Sequence, residues 1–255
     1  MERLIEYFEK NNKVALAYSG GTDSALLLHA ALKAGADISA YCVRSEFVPS
    51  FELESAVDTA EAIGAKGTVL KMIDMALLQD ESITCNSPDR CYYCKRAMMS
   101  ELCRAAHADG FELVIDGNNA DDSADDRPGM RASAELGMRS PLRELGITKA
   151  EVRRLSELER LPTAHKPAYS CLATRIRTGE EINEAALKAT ETAERYLFEL
   201  GYSDFRVRRQ GDDALIQVTA GQMDKLNSEL ELIRKELGQY YRNINADTVP
   251  RKASL

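Results

Sequence analysis

The sequence predicts an α/β protein, in which a doubly wound parallel sheet is followed by a small C-terminal α+β domain. Short apolar runs alternate with stretches of helical periodicity as far as Leu161, which is typical of a parallel sheet with helices on both faces. The composition changes after that residue, and two short strands flanked by helices follow. At about 150 residues per domain, 255 residues correspond to one larger and one smaller domain.

The first two strand and helix cycles lie near the N-terminus. Lys13–Tyr18 is a short apolar run that ends at Ser-Gly-Gly, and Thr22–Ala34 then shows helical spacing until Gly35 stops it. The second cycle joins a strand over Ile38–Val43 to a helix closed by Gly64. That helix is predicted from one apolar stripe, formed by Leu53, Ala56, Val57, Ala60 and Ile63.

Two further strands and a capped helix complete the predicted sheet domain. The third strand is expected over Thr68–Met72, and Leu113–Asp116 is a fourth candidate. Thr148 and Glu151 have the spacing of a capping box, which predicts a helix from that point to about Glu159.

The C-terminal region has its own pattern of helices and strands. Strands are predicted over Phe205–Arg208 and Ala214–Val218, on either side of a Gly-Asp-Asp turn at 211–213. A helix from about Gly221 to Leu237 follows them. The helix before them, ended by Gly201, is predicted from the apolar positions Ile182, Ala186, Ala189, Ala193, Leu197 and Leu200.

A loop or linker separates the two regions. Residues 162–180 contain two prolines, a cysteine and a glycine, a composition that interrupts regular structure. We therefore expect a sheet domain over 1–165, a linker with Cys171 over 166–180, and a C-terminal domain over 181–255.

Composition argues against several classes of protein. The chain has 33 basic and 41 acidic side chains, a formal charge of −8, which does not favour nucleic-acid binding. No apolar stretch approaches the roughly 18 residues of a membrane helix, and no signal peptide is evident, so a cytoplasmic location is expected. In a reducing cytosol, the six cysteines point to metal or catalytic roles rather than disulfides.

The most distinctive cysteines form a Cys-x-x-Cys pair, Cys91 and Cys94, just before an apparent helix. Two cysteines at this spacing can hold one metal centre. A redox pair, or a zinc site completed by Cys85 or His165, are the alternatives. The remaining pair, Cys42 on a core strand and Cys103 on a helix, are interpreted as small apolar residues.

A candidate phosphate loop lies between the first strand and the first helix of the predicted sheet. Its residues are Ser19, Gly20, Gly21, Thr22, Asp23 and Ser24. Backbone N–H groups and the helix dipole attract an anion at this position, and the glycines allow close approach. Asp23 is placed to hold Mg²⁺ on a polyphosphate. The Walker A lysine is absent, and the alternative is a glycine-rich turn without a ligand.

This loop, SGGTDS, resembles the PP-loop of the N-type ATP pyrophosphatases, whose fold is of the adenine nucleotide α-hydrolase type. The resemblance implies that an acyl or amide oxygen attacks the α-phosphorus of ATP. Pyrophosphate then leaves into the loop with Mg²⁺ neutralising its charge.

Four further motifs narrow the resemblance. RCYYCK at 90–95, DGNNADD at 116–122, SPLRELGITKAEVR at 140–153 and PAYSCLATRIRTGEEI at 167–182 follow SGGTDS in that order. Together they resemble the LarE family of ATP-dependent sulfur transferases of nickel-pincer cofactor synthesis. The family implies adenylylation of pyridinium-3,5-biscarboxylic acid mononucleotide and conversion of its carboxylates to thiocarboxylates.

The resemblance also implies which residue carries sulfur. In single-cysteine relatives, the residue matching Cys171 gives up its own sulfur and becomes dehydroalanine. Three-cysteine relatives hold a [4Fe-4S] cluster that carries a further sulfide. Because Cys91 and Cys94 accompany Cys171, the chain is expected to be of the cluster type.

Substrate and nucleotide residues are also assigned. Arg206 and Arg208 alternate with Phe205 and Val207, so a strand would place both guanidiniums on one face about 7 Å apart. The family implies that this pair binds the substrate phosphate; a solvated strand face is the alternative. Glu194 matches the position of an acidic residue near the active site of the family. The alternative is an exposed glutamate on a helix that serves as a solubilising charge.

Polar residues after the fourth strand lie where ligands of open α/β sheets bind. Asp116, Asn118 and Asp122 are expected to contact nucleotide or Mg²⁺ there, and Arg175 to steady the α-phosphate. The acidic segment at 121–126 is interpreted either as a mobile loop or as a metal or lid segment.

Two other functions compete with this assignment. A PP-loop tRNA 2-thiolation enzyme also combines such a loop with Cys-x-x-Cys, although the net charge argues against it. The other is a non-catalytic metal- or nucleotide-binding protein. The family resemblance implies a homo-oligomer, with a sulfide donor and a nickel-insertion protein as partners.

Overall fold

A computed structural model of the chain describes residues 1–65, 69–122 and 128–253. These residues form two compact units. The sheet unit comprises the described residues within Met1–Ser45, Ser50–Ala76 and Cys91–Lys166. The C-terminal unit comprises those within Glu46–Pro49, Leu77–Arg90 and Pro167–Leu255. The expected domain boundaries at residues 165 and 180 stay predictions.

Helices and strands alternate through the first two thirds of the chain. In order they are α1 (Glu2–Lys10), β1 (Lys13–Ala17), α2 (Thr22–Lys33), β2 (Asp37–Arg44), α3 (Ser50–Ile63), β3 (Leu70–Asp74), α4 (Glu81–Thr84), α5 (Arg90–Ala108), β4 (Val114–Ile115), α6 (Pro128–Glu135), α7 (Pro141–Glu144) and α8 (Lys149–Leu158).

The sheet of the first unit has the strand order β3-β2-β1-β4 with every pairing parallel. This confirms the predicted α/β fold with a parallel sheet. Because β1 is central and has β2 on one side and β4 on the other, the sheet reverses its direction of growth at β1. Ligands of open α/β sheets bind at the carboxyl ends of strands beside such a reversal.

Both faces of the sheet are buried. Val14 and Leu16 of β1 pack into one core cluster, whereas Ala15 between them packs into another. This alternation follows from the period of two along a strand. Cys42 and Cys103 belong to these clusters, and burial raises the pKa of the Cys42 thiol to about 11. Both therefore act as small apolar residues, as expected.

Several element boundaries differ from the predicted ones. The third strand begins at Leu70, and Thr68 lies outside the described residues. Strand β4 keeps only two of the four predicted residues. The prediction that Cys91 and Cys94 precede a helix was wrong, since α5 already begins at Arg90.

The capping box at the start of α8 is half formed. The Thr148 side chain accepts a hydrogen bond from the Glu151 N–H, as predicted. The Glu151 carboxylate instead accepts one from Arg3.

The C-terminal unit packs helices on a second sheet. After a 3₁₀ turn at Leu172–Arg175, its elements are α9 (Glu184–Glu199), β5 (Arg206–Gln210), β6 (Asp213–Gln217), α10 (Met223–Leu237) and β7 (Asn243–Ala246). Strands β5 and β6 form the predicted antiparallel pair. Strand β7, which was not predicted, pairs parallel to β6 on its other edge. Across the described ranges, none of the helices is both long and apolar enough to cross a membrane.

Candidate active site

The predicted phosphate loop connects β1 to α2, and its conformation depends on Gly20. Gly20 has a φ of +70°, and a Cβ there would lie 2.5 Å from the Ala56 Cβ. The loop therefore needs glycine both for its conformation and for its closeness to α3. Gly21, which has no side chain, is the N-cap of α2, so the first-turn N–H groups face the loop.

The loop hydroxyls hold the loop together. The Thr22 Oγ1 donates to the Thr163 carbonyl at 3.0 Å, and both Thr22 and Ser24 are buried. The Ser19 and Ser24 hydroxyl oxygens are 3.2 Å apart, and Ser24 also contacts the Gly21 carbonyl. In this arrangement Ser19 is the exposed residue of the loop, and Gly21 and Asp23 are partly exposed.

Asp23 is held on both sides by residues that are distant in sequence. The Asn119 amide donates to Oδ1 at 3.0 Å, and the Lys149 ammonium pairs with Oδ2. A single carboxylate beside a phosphate loop fits Mg²⁺, which takes one or two protein carboxylates and the substrate's phosphate oxygens. Neither Asn119 nor Lys149 was assigned a role from sequence, although both lie within motifs that carry the family resemblance, DGNNADD and SPLRELGITKAEVR.

The turn after β4 lies against the phosphate loop, as expected for neighbouring parallel strands. A Cβ on Gly117 would be 3.3 Å from both the Asp23 Cβ and the Ser24 nitrogen. Asp116 is buried, and its carboxylate accepts from the Ser140 hydroxyl at 2.7 Å and from the Asn118 amide at 2.6 Å. These bonds hold the shape of the turn. The contact of Asp116 and Asn118 with a nucleotide stays a prediction.

Two of the acidic residues that follow are also part of this hydrogen-bond network. Asp121 accepts from the Lys149 backbone N–H at 2.7 Å, and Asp122 from that of Asn119 at 2.9 Å. Residues 123–126 of the acidic segment lie outside the described residues. The choice between a mobile loop and a metal or lid segment therefore stays a prediction.

In the C-terminal unit, Cys171 lies beside a buried arginine. The Arg90 Nη1 is 3.7 Å from the Cys171 Sγ, and the Arg90 Nε donates to the Asn86 side chain at 3.2 Å. Asn86 in turn donates to the Arg177 carbonyl at 2.9 Å. Asn86 thus orients Arg90 and anchors the segment after Cys171. Neither Asn86 nor Arg90 was recognised from sequence, because they precede Cys171 by more than 80 residues.

Glu194 is completely buried, which excludes its interpretation as a solubilising charge. Its carboxylate accepts from the Arg175 Nε at 2.6 Å, the Val207 N–H at 2.9 Å and the Tyr169 hydroxyl. Arg175 is itself 2% exposed. The guanidinium predicted to steady a phosphate is thus committed to an ion pair, and its nucleotide role stays a prediction.

Arg206 and Arg208 lie on β5 with Phe205 and Val207 in the core, in agreement with the expected alternation. Arg206 is buried and donates to the Phe205 and Ala168 carbonyls at 2.6 and 2.7 Å. Burial lowers the pKa of Arg206, and the charge of Arg175 lowers it further. Arg208 donates to the Thr174 carbonyl at 3.2 Å. The two arginines therefore contact backbone on either side of Cys171, and Arg206 is no solvated surface charge.

The remaining cysteines do not show a metal centre. Cys91 is exposed and Cys94 buried within the first turns of α5, and Cys85 is exposed. Among the residues that the structure describes, no group of three or more His, Cys, Asp or Glu is placed to hold a metal ion. The [4Fe-4S] cluster expected on Cys91, Cys94 and Cys171 and the alternative zinc site therefore stay predictions.

The chain is similar in sequence to other proteins over most of its length. The chain matches no family model. It is 38% identical to the uncharacterized protein slr1717 of Synechocystis sp., over 95% of this chain and 89% of that protein. It is 33% identical to the pyridinium-3,5-bisthiocarboxylic acid mononucleotide synthase of Lactiplantibacillus plantarum, over 89% of this chain and 85% of the synthase. The uncharacterized protein MJ0830 of Methanocaldococcus jannaschii is 30% identical over the same shares. The chain therefore belongs to the family of pyridinium-3,5-bisthiocarboxylic acid mononucleotide synthases, the LarE family.

Proposed function

We propose that this protein is an ATP-dependent sulfur transferase that acts on pyridinium-3,5-biscarboxylic acid mononucleotide. It would convert the carboxylates of that substrate to thiocarboxylates for a nickel-pincer cofactor. The observation that carries the proposal is the 33% identity to a synthase of the corresponding product over 89% of the chain. A candidate phosphate loop in the sheet unit and a cysteine beside a buried arginine in the C-terminal unit agree with it.

The first step activates the carboxylate. Backbone N–H groups of Gly20 and Gly21 and the N-terminus of α2 bind the phosphates of ATP. Asp23 would hold Mg²⁺, which would neutralise charge on the departing pyrophosphate, and Lys149, whose ammonium pairs with Asp23, supplies a second positive charge beside the loop. A substrate carboxylate oxygen attacks the α-phosphorus. A carboxyl–phosphorus bond forms, the bond to the β-phosphate oxygen breaks, and pyrophosphate leaves.

The second step transfers sulfur. The Cys171 thiolate attacks the acyl carbon, a thioester forms, and AMP leaves with the bonding electrons. Arg90, 3.7 Å from the sulfur, supplies positive charge where the nucleophile carries negative charge. The Cα proton of residue 171 is then lost to solvent, its bonding electrons form the Cα=Cβ double bond, and the Cβ–S bond breaks. The thiocarboxylate departs, and dehydroalanine remains in the chain.

A sulfide carried by a cluster on Cys91, Cys94 and Cys171 is the alternative sulfur source. In that case the Cys171 side chain would survive turnover. A cytoplasmic location, a homo-oligomer, a sulfide donor and a nickel-insertion partner belong to the same proposal.

The function is tested with purified protein, ATP, magnesium and the pyridinium dicarboxylate. We expect AMP, pyrophosphate and thiocarboxylate product, all dependent on the dicarboxylate. Mass spectrometry of the protein distinguishes the two sulfur sources, since loss of one H₂S at Cys171 marks the sacrificial route and an unchanged mass with product marks the cluster route. Absence of AMP and of any sulfur-bearing product would refute the proposal. AMP formation that requires tRNA would favour the thiolation alternative.

Arg206→Ala is expected to weaken substrate binding by about 10- to 100-fold, the range for a charge-assisted hydrogen-bonding group, and to leave ATP affinity unchanged. Calorimetric titration with each ligand measures both. Arg234→Ala is the matched control, because Arg234 lies in the same unit and also donates to a backbone carbonyl, that of Ile244. An equal loss of substrate and ATP affinity in Arg206→Ala would contradict the phosphate assignment.

A further inference from the structure

The surroundings of Glu194 contain more buried positive than negative charge. Arg175 and Glu194 form an ion pair with side-chain exposures of 2% and 0%. Arg206 adds a second buried guanidinium, and its Nη nitrogens donate to two neutral carbonyl oxygens. A buried charge without compensation is costly, so this excess is suited to an anion.

Arg206 retains donors for such an anion. A guanidinium has five N–H donors in a planar fork, and the bonds to Phe205 and Ala168 use two of them. The direction of the remaining donors depends on how the guanidinium plane is held. A residue that holds this plane therefore controls whether the anion can be bound.

Tyr169 contacts all three of these buried charged residues, Glu194, Arg175 and Arg206. The centre of its ring is 4.8 Å from the Arg175 Cζ and 5.6 Å from the Arg206 Cζ, both within cation–π range. Its hydroxyl donates to Glu194. The adjacent carbonyl of Ala168 accepts from Arg206 at 2.7 Å. One two-residue segment thus holds Arg206 through the aromatic face and through the backbone.

We propose that Tyr169 is a positioning residue for phosphomonoester recognition, which acts by holding the Arg175 and Arg206 guanidiniums against its ring. The proposal rests on the phosphate site assigned above to Arg206 and Arg208. A guanidinium stacked on an aromatic face keeps its edge available for bidentate contact with phosphate. The ring, which faces both guanidiniums, provides this restraint, whereas the hydroxyl donates to Glu194.

Two substitutions of Tyr169 distinguish the effect of the aromatic face from that of an apolar side chain. Tyr169→Phe keeps the π-face and loses the hydroxyl, whereas Tyr169→Leu keeps an apolar side chain and loses the π-face. The probe is nicotinate mononucleotide, a pyridinium carboxylate with a phosphoribosyl group, titrated calorimetrically into the full chain. Its nucleoside, nicotinate riboside, reports contacts other than those to phosphate.

We expect Tyr169→Phe to bind the mononucleotide within about threefold of the unmodified protein and Tyr169→Leu to bind it about 10-fold more weakly. Tyr169→Trp should bind like Tyr169→Phe, which a merely space-filling role would not produce. Affinity for the riboside should be the same in all three variants. Tyr202→Phe is the matched control, since Tyr202 also donates to a carboxylate, that of Glu229, and faces a cation, Lys225, at 4.5 Å.

Equal mononucleotide affinity in Tyr169→Leu and Tyr169→Phe would overturn the proposal. So would a loss of riboside affinity as large as that of the mononucleotide. If Tyr169→Leu does not fold, weak binding by a folded Tyr169→Trp decides against the proposal, and binding like Tyr169→Phe decides for it. Failure of the phosphate site itself is recognised separately, because Arg206→Ala would then bind the mononucleotide as tightly as the unmodified protein.

Discussion

Cys171→Ser is expected to lower thiocarboxylate formation by about 10³-fold or more while pyrophosphate is still released from ATP. In the proposed mechanism, activation of the carboxylate uses the candidate phosphate loop and needs no sulfur. Serine at position 171 has no sulfur to transfer and binds iron poorly, so both sulfur sources are lost. Separate assays of pyrophosphate and of the sulfur-bearing product measure the two steps.

The control for this experiment is Cys85→Ser. Cys85 is an exposed cysteine of the same unit whose Sγ contacts the Ser82 carbonyl at 3.6 Å. We expect it to form both products at the unmodified rate. If Cys171→Ser produced thiocarboxylate as fast as the unmodified protein, sulfur would not pass through residue 171. The second step of the mechanism would then be wrong.

Gly20→Ala is expected to lower the free energy of unfolding by roughly 3 kcal/mol or more. The new Cβ would lie 2.5 Å from the Ala56 Cβ and 2.6 Å from its Cα, and the backbone at φ +70° already disfavours any side chain. Since backbone of α3 cannot move aside cheaply, the loop must shift. ATP affinity should then fall at least about 10-fold, because the N–H groups no longer converge on one phosphate.

Gly35→Ala separates these two causes. Gly35 has nearly the same φ of +71°, but a Cβ there meets nothing within 4 Å. Its substitution should cost about 1–2 kcal/mol from backbone conformation alone and leave ATP affinity unchanged. Urea unfolding and calorimetric titration of both variants measure the difference. Equal unfolding free energies would show that the contact with Ala56 does not constrain the loop.

Only some of the structural features behind these predictions were predictable from the sequence. The turn from β1 through the phosphate loop into α2 was predictable, because a short apolar run, two glycines and helical periodicity are local signals. The strands β5 and β6 and their turn were predictable for the same reason. Strand β7 has only four residues, half of them asparagine, and it forms by pairing with β6. A strand specified by its partner leaves little trace in its own sequence.

For this protein, local pattern and family motifs determined the fold class, the family, the candidate phosphate loop and the candidate sulfur-carrying residue. Tertiary structure decided the environment of each side chain. It paired Lys149 with Asp23, which are 126 residues apart in sequence, and placed Arg90 beside Cys171, which are 81 residues apart. It also buried Glu194 completely, in contact with Arg175 and Tyr169. Charge compensation acts through space, whereas periodicity and capping act between residues a few positions apart. The partner of a buried charge is therefore known only once the chain is folded.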